Sequence, residues 1–213
     1  MAIRVLLIGD SIRAHYQEEV KEQLGEAYEV MTPQVNCRFS SFVLNSLRFW
    51  LAECPNPDII HWNAGLWDTA ILYHEDGCFT ALEEYVANMK KILRELKKTG
   101  ATIIFATTTP VSDDKKLFPG PMPPAHDNAD IIRYNEAVLQ EFAKENVIIN
   151  DLFSLINVEK KRYLKDDKIH PNEEGCKLLG RAVADIIRKQ KIEGNDSIDE
   201  KSKYIRPEEN LIQ

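Results

Sequence analysis

The sequence predicts a three-layer α/β/α domain built on a five-stranded parallel sheet, of the flavodoxin-like kind. Three observations predict it. Short β-branched, apolar runs alternate with helix-length amphipathic stretches from residue 3 to about residue 190. The stretches between runs are long enough for helical crossovers, which parallel neighbours require. The runs are apolar almost without interruption, as in strands buried on both faces.

The elements follow in order. Ile3-Arg4-Val5-Leu6-Leu7-Ile8 is the first strand, turned by Gly9-Asp10-Ser11 into a helix over residues 12–24. A second strand over 28–31 is closed by Thr32-Pro33. Phe39, Val43, Leu44, Leu47 and Leu51 form a helical stripe that ends before Pro55 and Pro57. Residues 58–62 form the third strand. Leu82, Tyr85, Val86, Met89, Leu93 and Leu96 mark a helix stopped by Gly100. A fourth strand over 101–106, a helix over 131–142, a fifth strand over 147–149 and a helix over 172–189 complete the pattern. Residues 1–191 make one domain. Residues 192–213 are a charged tail, poor in apolar groups, that wraps the surface or stays disordered. Residues 112–128, with four prolines, read as a long loop over the strand ends.

Composition removes several functions. The chain has 213 residues, 44% hydrophobic and 29% charged, with a net charge of -7. An acidic chain lacks the clustered cations that nucleic-acid binding needs, so no nucleic-acid partner is expected. No apolar run approaches the length of a membrane span, so no membrane partner is expected either. The apolar run at residues 5–8 is too short for a signal peptide, which points to a cytoplasmic protein with reduced thiols. Cys37, Cys54, Cys78 and Cys176 contain no Cys-x-x-Cys pair, and His15, His74 and His126 lack metal-ligand spacing. No metal or other cofactor is expected. Nothing in the sequence specifies an oligomeric state.

In an open parallel sheet, ligands sit beyond the carboxyl ends of the strands. Gly9-Asp10-Ser11, Asn63 to Asp68 and Thr107 to Pro110 occupy those places. Ser11, at a strand-to-helix turn, is either a helix cap or an exposed nucleophile whose own N–H, at the helix N-terminus, faces an oxyanion. Asp167-Lys168-Ile169-His170 precedes the last helix. A serine hydroxyl needs a base to take its proton, and an imidazole serves best when a carboxylate holds its other nitrogen. One turn of chain lets Asp167 fold back onto His170. Asp166 is a rival at a less suitable spacing. A solvated loop is the plainer reading of an isolated Asp-x-x-His.

Taken together, Gly9-Asp10-Ser11 after the first strand and Asp167-x-x-His170-Pro171-Asn172 before the last helix resemble the first and last sequence blocks of the SGNH (GDSL-like) hydrolases. Element order extends the resemblance over residues 3 to about 190. It implies a Ser11–His170–Asp167 triad that hydrolyses esters without a cofactor. The third block of that family usually reads Gly-x-Asn-Asp, with the Asn donating to the oxyanion. Here it is Gly65-Leu66-Trp67-Asp68, which leaves Asn63 as the nearest amide. No glycine lies between Gly25 and Gly65, so the N–H of Cys37 or Arg38 would stand in for the backbone donor of the second block. Trp67 and Arg38 are the candidate substrate-binding side chains, the first by stacking on a sugar ring and the second by meeting an anion. Trp62 reads as core.

The expected partner is a small-molecule ester, with a short acyl group on a carbohydrate-like alcohol. A lysophospholipase or thioesterase, with residues 118–124 lining an acyl groove, is the alternative within hydrolases. A catalytically silent binding module on the same fold is the alternative outside them. A nucleotide or flavin site is disfavoured because Asp10 would repel phosphate.

Overall fold

The computed structural model describes residues 2–72, 77–113, 125–145 and 147–190. Five strands, β1 (Ile3–Ile8), β2 (Tyr28–Met31), β3 (Ile59–Trp62), β4 (Thr102–Ala106) and β5 (Ile148–Asn150), form one sheet. All pairs are parallel and the order is β2-β1-β3-β4-β5. This is the expected three-layer fold, and its strand order is that of the flavodoxin-like class.

Among the described residues, seven α-helices flank the sheet: α1 (Ser11–Leu24), α2 (Ser40–Glu53), α3 (Leu82–Lys97), α4 (Asn128–Ala143), α5 (Leu152–Asn157), α6 (Lys160–Tyr163) and α7 (Glu173–Arg188). The strand pleat divides the core. Val5, Leu7 and Ile104 pack with Tyr16 and Val20 of α1 and Leu179 and Val183 of α7. Leu6, Ile8, Ile60, Trp62 and Phe105 face the other way, onto α2, α3 and α4. Trp62 is fully buried, as a core residue should be.

Several elements differ from expectation. Helix α4 starts at Asn128, before the first apolar residue of its stripe, because the Asp127 side chain accepts the Ala129 N–H and caps it there. Helices α5 and α6 were not anticipated; at six and four residues they are too short to display a helical period. Tyr73, His74, the expected acyl-groove segment 118–124 and the tail 192–213 lie outside the described residues. Among the described residues, no helix is long and apolar enough to cross a membrane.

The topology brings the site together. Strands β1 and β3 are neighbours in the sheet, with Ile8 opposite Trp62. Successive crossovers leave this pair on opposite faces, so a crevice opens at their carboxyl ends. Gly9-Asp10-Ser11 and Asn63-Ala64-Gly65 enter it side by side, and the Asn63 N–H donates to the Ile8 carbonyl at 3.0 Å.

Candidate active site

Ser11 is the first residue of α1, and Asp10 is its N-cap, accepting the Ile12 N–H at 2.9 Å. Two close contacts define this turn. A Cβ on Gly9 would come within 2.6 Å of the Arg13 Cβ, so the chain passes its own helix at a distance only glycine allows. The Arg13 guanidinium, 3% exposed, donates to the carbonyls of Gly9, Pro33 and Val35 and to the Gln17 amide oxygen. It ties the β1–α1 turn to the loop after β2.

The partner of Ser11 arrives from the far end of the chain. The Lys168 φ of +68° turns the backbone so that Asp167 folds back beneath His170. Asp167 Oδ1 accepts the backbone N–H groups of Ile169 at 3.0 Å and His170 at 2.9 Å. Its Oδ2 accepts the His170 Nδ1–H at 2.8 Å. The opposite ring nitrogen, Nε2, stands 2.8 Å from Ser11 Oγ, placed to accept its proton. Partial burial alone would push the Asp167 carboxyl up, but the hydrogen bonds from His170 and Ile169 outweigh it and hold the group below its ordinary range. Asp167, not Asp166, therefore meets the imidazole. The loop is braced by Lys165 N–H to His170 carbonyl (2.8 Å) and Ser112 N–H to Lys168 carbonyl (2.9 Å).

The expected oxyanion donors are placed differently. The Cys37 N–H donates to the Gly9 carbonyl at 3.3 Å, and the Arg38 N–H to Asn36 Oδ1 at 2.9 Å. The Asn63 amide donates to the Ala106 carbonyl at 2.8 Å and to Thr108 Oγ1 at 3.3 Å. In this structure the Cys37 N–H and the Asn63 amide are both directed at neighbouring protein acceptors. Their positions at the strand ends are as expected; what the sequence did not show is that neighbouring carbonyls at the same ends compete for the donors. Among the described residues, the N–H of Ser11 and that of Ser41, in the first turn of α2, make no hydrogen bond.

Further groups lie around this centre. The Asp68 carboxylate, fully buried, accepts the Ser40 N–H and the Ser40 hydroxyl, fastening the start of α2 beside the third strand end. Gly65, at φ +155°, lies so close to the segment after β4 that a Cβ there would fall 2.2 Å from Thr108 Oγ1. Asp10 Oδ2 has no hydrogen-bond partner among the described residues and borders a cavity of about 10 Å³, room for one water, shared with Asn63 and Thr108. Burial raises the Asp10 carboxyl above its ordinary range. His15, given no role by spacing, stacks on His170, and burial pushes the imidazole of His126, likewise given no role, down to about 4. The Ser11-to-His15 interval of four residues on a helix was the signal for the first of these. Trp67 is half-buried, and exposed Arg38, at φ +50°, sets its guanidinium 5.6 Å from the Phe42 ring centre. Among the described residues, no group of three His, Cys, Asp or Glu side chains is arranged to hold a metal.

The fold recurs in solved structures of esterases and acylhydrolases. A lipase/acylhydrolase from Enterococcus faecalis superposes with a TM-score of 0.73 at 18% identity, covering 88% of this chain and 96% of that one. An acetyl xylan esterase gives 0.70 at 17%, covering 87% and 100%. A catalytic mutant of an acetylxylan esterase from Geobacillus stearothermophilus gives 0.69 at 18%, covering 86% and 93%. No curated protein matches the chain. The profile of the GDSL-like lipase/acylhydrolase family matches residues 7–178, a span that begins in β1 and runs past His170 into α7, and the chain therefore belongs to that family.

Proposed function

We propose that this chain is a serine esterase that hydrolyses carboxylic esters through Ser11, His170 and Asp167. The observation that carries the reading is the relay itself, Asp167 Oδ2 to His170 Nδ1 and His170 Nε2 to Ser11 Oγ, each at 2.8 Å. As Ser11 Oγ bonds to the ester carbonyl carbon, its proton passes to His170 Nε2. The imidazolium is steadied by Asp167 and returns the proton to the departing alkoxide. Water then attacks the acyl-enzyme with His170 again as base, and the acid leaves. The Ser11 N–H, at the positive end of α1, is one donor to the oxyanion.

For substrate, we propose a short acyl group, acetyl above all, on a carbohydrate-like alcohol. The acetyl xylan esterases of the same fold support this, and half-buried Trp67 and exposed Arg38, on the segments that follow β3 and β2, are the candidate aromatic face and cation for the alcohol. The test is a series of p-nitrophenyl esters from acetyl to long-chain, beside acetylated xylo-oligosaccharides. Acetyl esters should turn over fastest. Ser11→Ala should lower kcat by at least about a thousandfold while the protein stays folded. Full turnover by folded Ser11→Ala removes the nucleophile, and preference for long acyl chains removes the substrate class.

A further inference from the structure

The His15 side chain lies one helical turn beyond Ser11 and stacks on the ring of His170. Their centroids are 4.7 Å apart and their planes differ by 27°. The stack is held from below, because the His15 Nδ1–H donates to the Ser11 carbonyl at 2.7 Å. One residue thus contacts the backbone of the proposed nucleophile and the face of the proposed base. His170 has two in-plane hydrogen bonds, to Asp167 and to Ser11, and these leave the ring able to rock about the line joining them. A flat ring against its face opposes that motion.

We propose that His15 is a positioning residue, whose ring holds the His170 imidazole in the plane that contains both Ser11 Oγ and Asp167 Oδ2. This rests on the triad reading above. The chemistry suits a neutral imidazole. When Ser11 Oγ bonds to carbon, its proton goes to His170 and the ring becomes a cation. A neutral aromatic face can lie on that cation, whereas a second cation would repel it. Burial keeps the His15 imidazole below its ordinary range, against its bond to Ser11; of the charges that reach it, Lys165 and His170 act with burial and Asp167 against it. Burial, with the His170 charge acting the same way, holds the His126 imidazole below its ordinary range as well.

The experiment uses three variants of the full chain, with p-nitrophenyl acetate as substrate. His15→Ala removes the ring, His15→Gln keeps a hydrogen-bonding side chain without a face, and His15→Phe keeps the face without the hydrogen bond. Ala and Gln should each lower kcat by about ten- to a hundredfold with KM little changed, since the loss is one of geometry at the reacting atoms. His15→Phe should recover kcat to within about threefold of wild type, because the stacked face is restored. In proton NMR, the His170 Cε1 proton should move downfield in Ala and Gln, as a stacked ring current is lost, and stay near its wild-type position in Phe. Ala and Gln variants with unchanged kcat and an unmoved His170 resonance overturn the proposal, as does a Phe variant no better than Ala. The NMR readout does not depend on turnover. If Ser11→Ala stays active while His15→Ala still shifts His170, the triad reading has failed and the stack has not.

Discussion

Ser40 and Asp68 are joined twice across 28 residues, by the Ser40 N–H at 2.9 Å and the Ser40 hydroxyl at 2.6 Å, with the carboxylate wholly buried. Burial pushes the Asp68 carboxyl up to about 6, against the pull of these bonds. The folded state therefore favours the protonated acid, and the sign follows. Asp68 contributes stability that is fully present below its unfolded value of 3.8 and is lost as pH rises through about 6. The difference in unfolding free energy between wild type and Asp68→Asn should shift by about 2 kcal/mol against wild type between pH 4 and pH 7. Urea titrations at the two pH values measure it, and a constant difference refutes the assignment.

Gly65 offers a steric test. At φ +155°, with Thr108 Oγ1 2.2 Å and the Tyr85 hydroxyl 3.0 Å from any Cβ, alanine meets both backbone strain and collision. Gly65→Ala should cost roughly 2–4 kcal/mol. Gly25→Ala, also at positive φ but with nothing within 4 Å, should cost about 1 kcal/mol. Thermal unfolding of the pair ranks them, and equal costs would show that the segment after β4 gives way.

Adjacent aspartates separate the orienting carboxylate from a surface one. Asp167→Asn removes the acceptor that keeps a proton on His170 Nδ1 and should lower kcat by about a thousandfold or more. Exposed Asp166→Asn should stay within about twofold. Steady-state kinetics on p-nitrophenyl acetate decide between them.

Arg13 tests whether the β1–α1 turn that carries Ser11 depends on a buried cation. Arg13→Met fills much of the space but leaves the carbonyls of Gly9, Pro33 and Val35 without this donor. A stability loss of about 3 kcal/mol or more is expected, together with a fall in kcat as the turn loosens. A variant as stable and as active as wild type would show that water replaces the guanidinium without cost.

The sequence determined the layers of this fold because its information there is local. The short, β-branched apolar run from Val5 to Ile8, stopped by Gly9, reads as a strand covered on both sides, and the apolar spacing in Leu82–Lys97 as one face of a helix. Asp167 and His170, three residues apart, likewise form their pair within one turn of chain, and the family resemblance pointed to Ser11 as their partner, 159 residues away. Tertiary structure alone decided where the remaining donors go. Asn63 was chosen for its chemical type and its place level with Ser11, yet its amide is drawn to the Ala106 carbonyl at the end of β4 and to Thr108 just beyond it, more than 40 residues away. Cys37 meets the Gly9 carbonyl for the same reason. A hydrogen bond goes to the acceptor that packing brings nearest, and residue type and position along one strand do not specify what the neighbouring strand presents there.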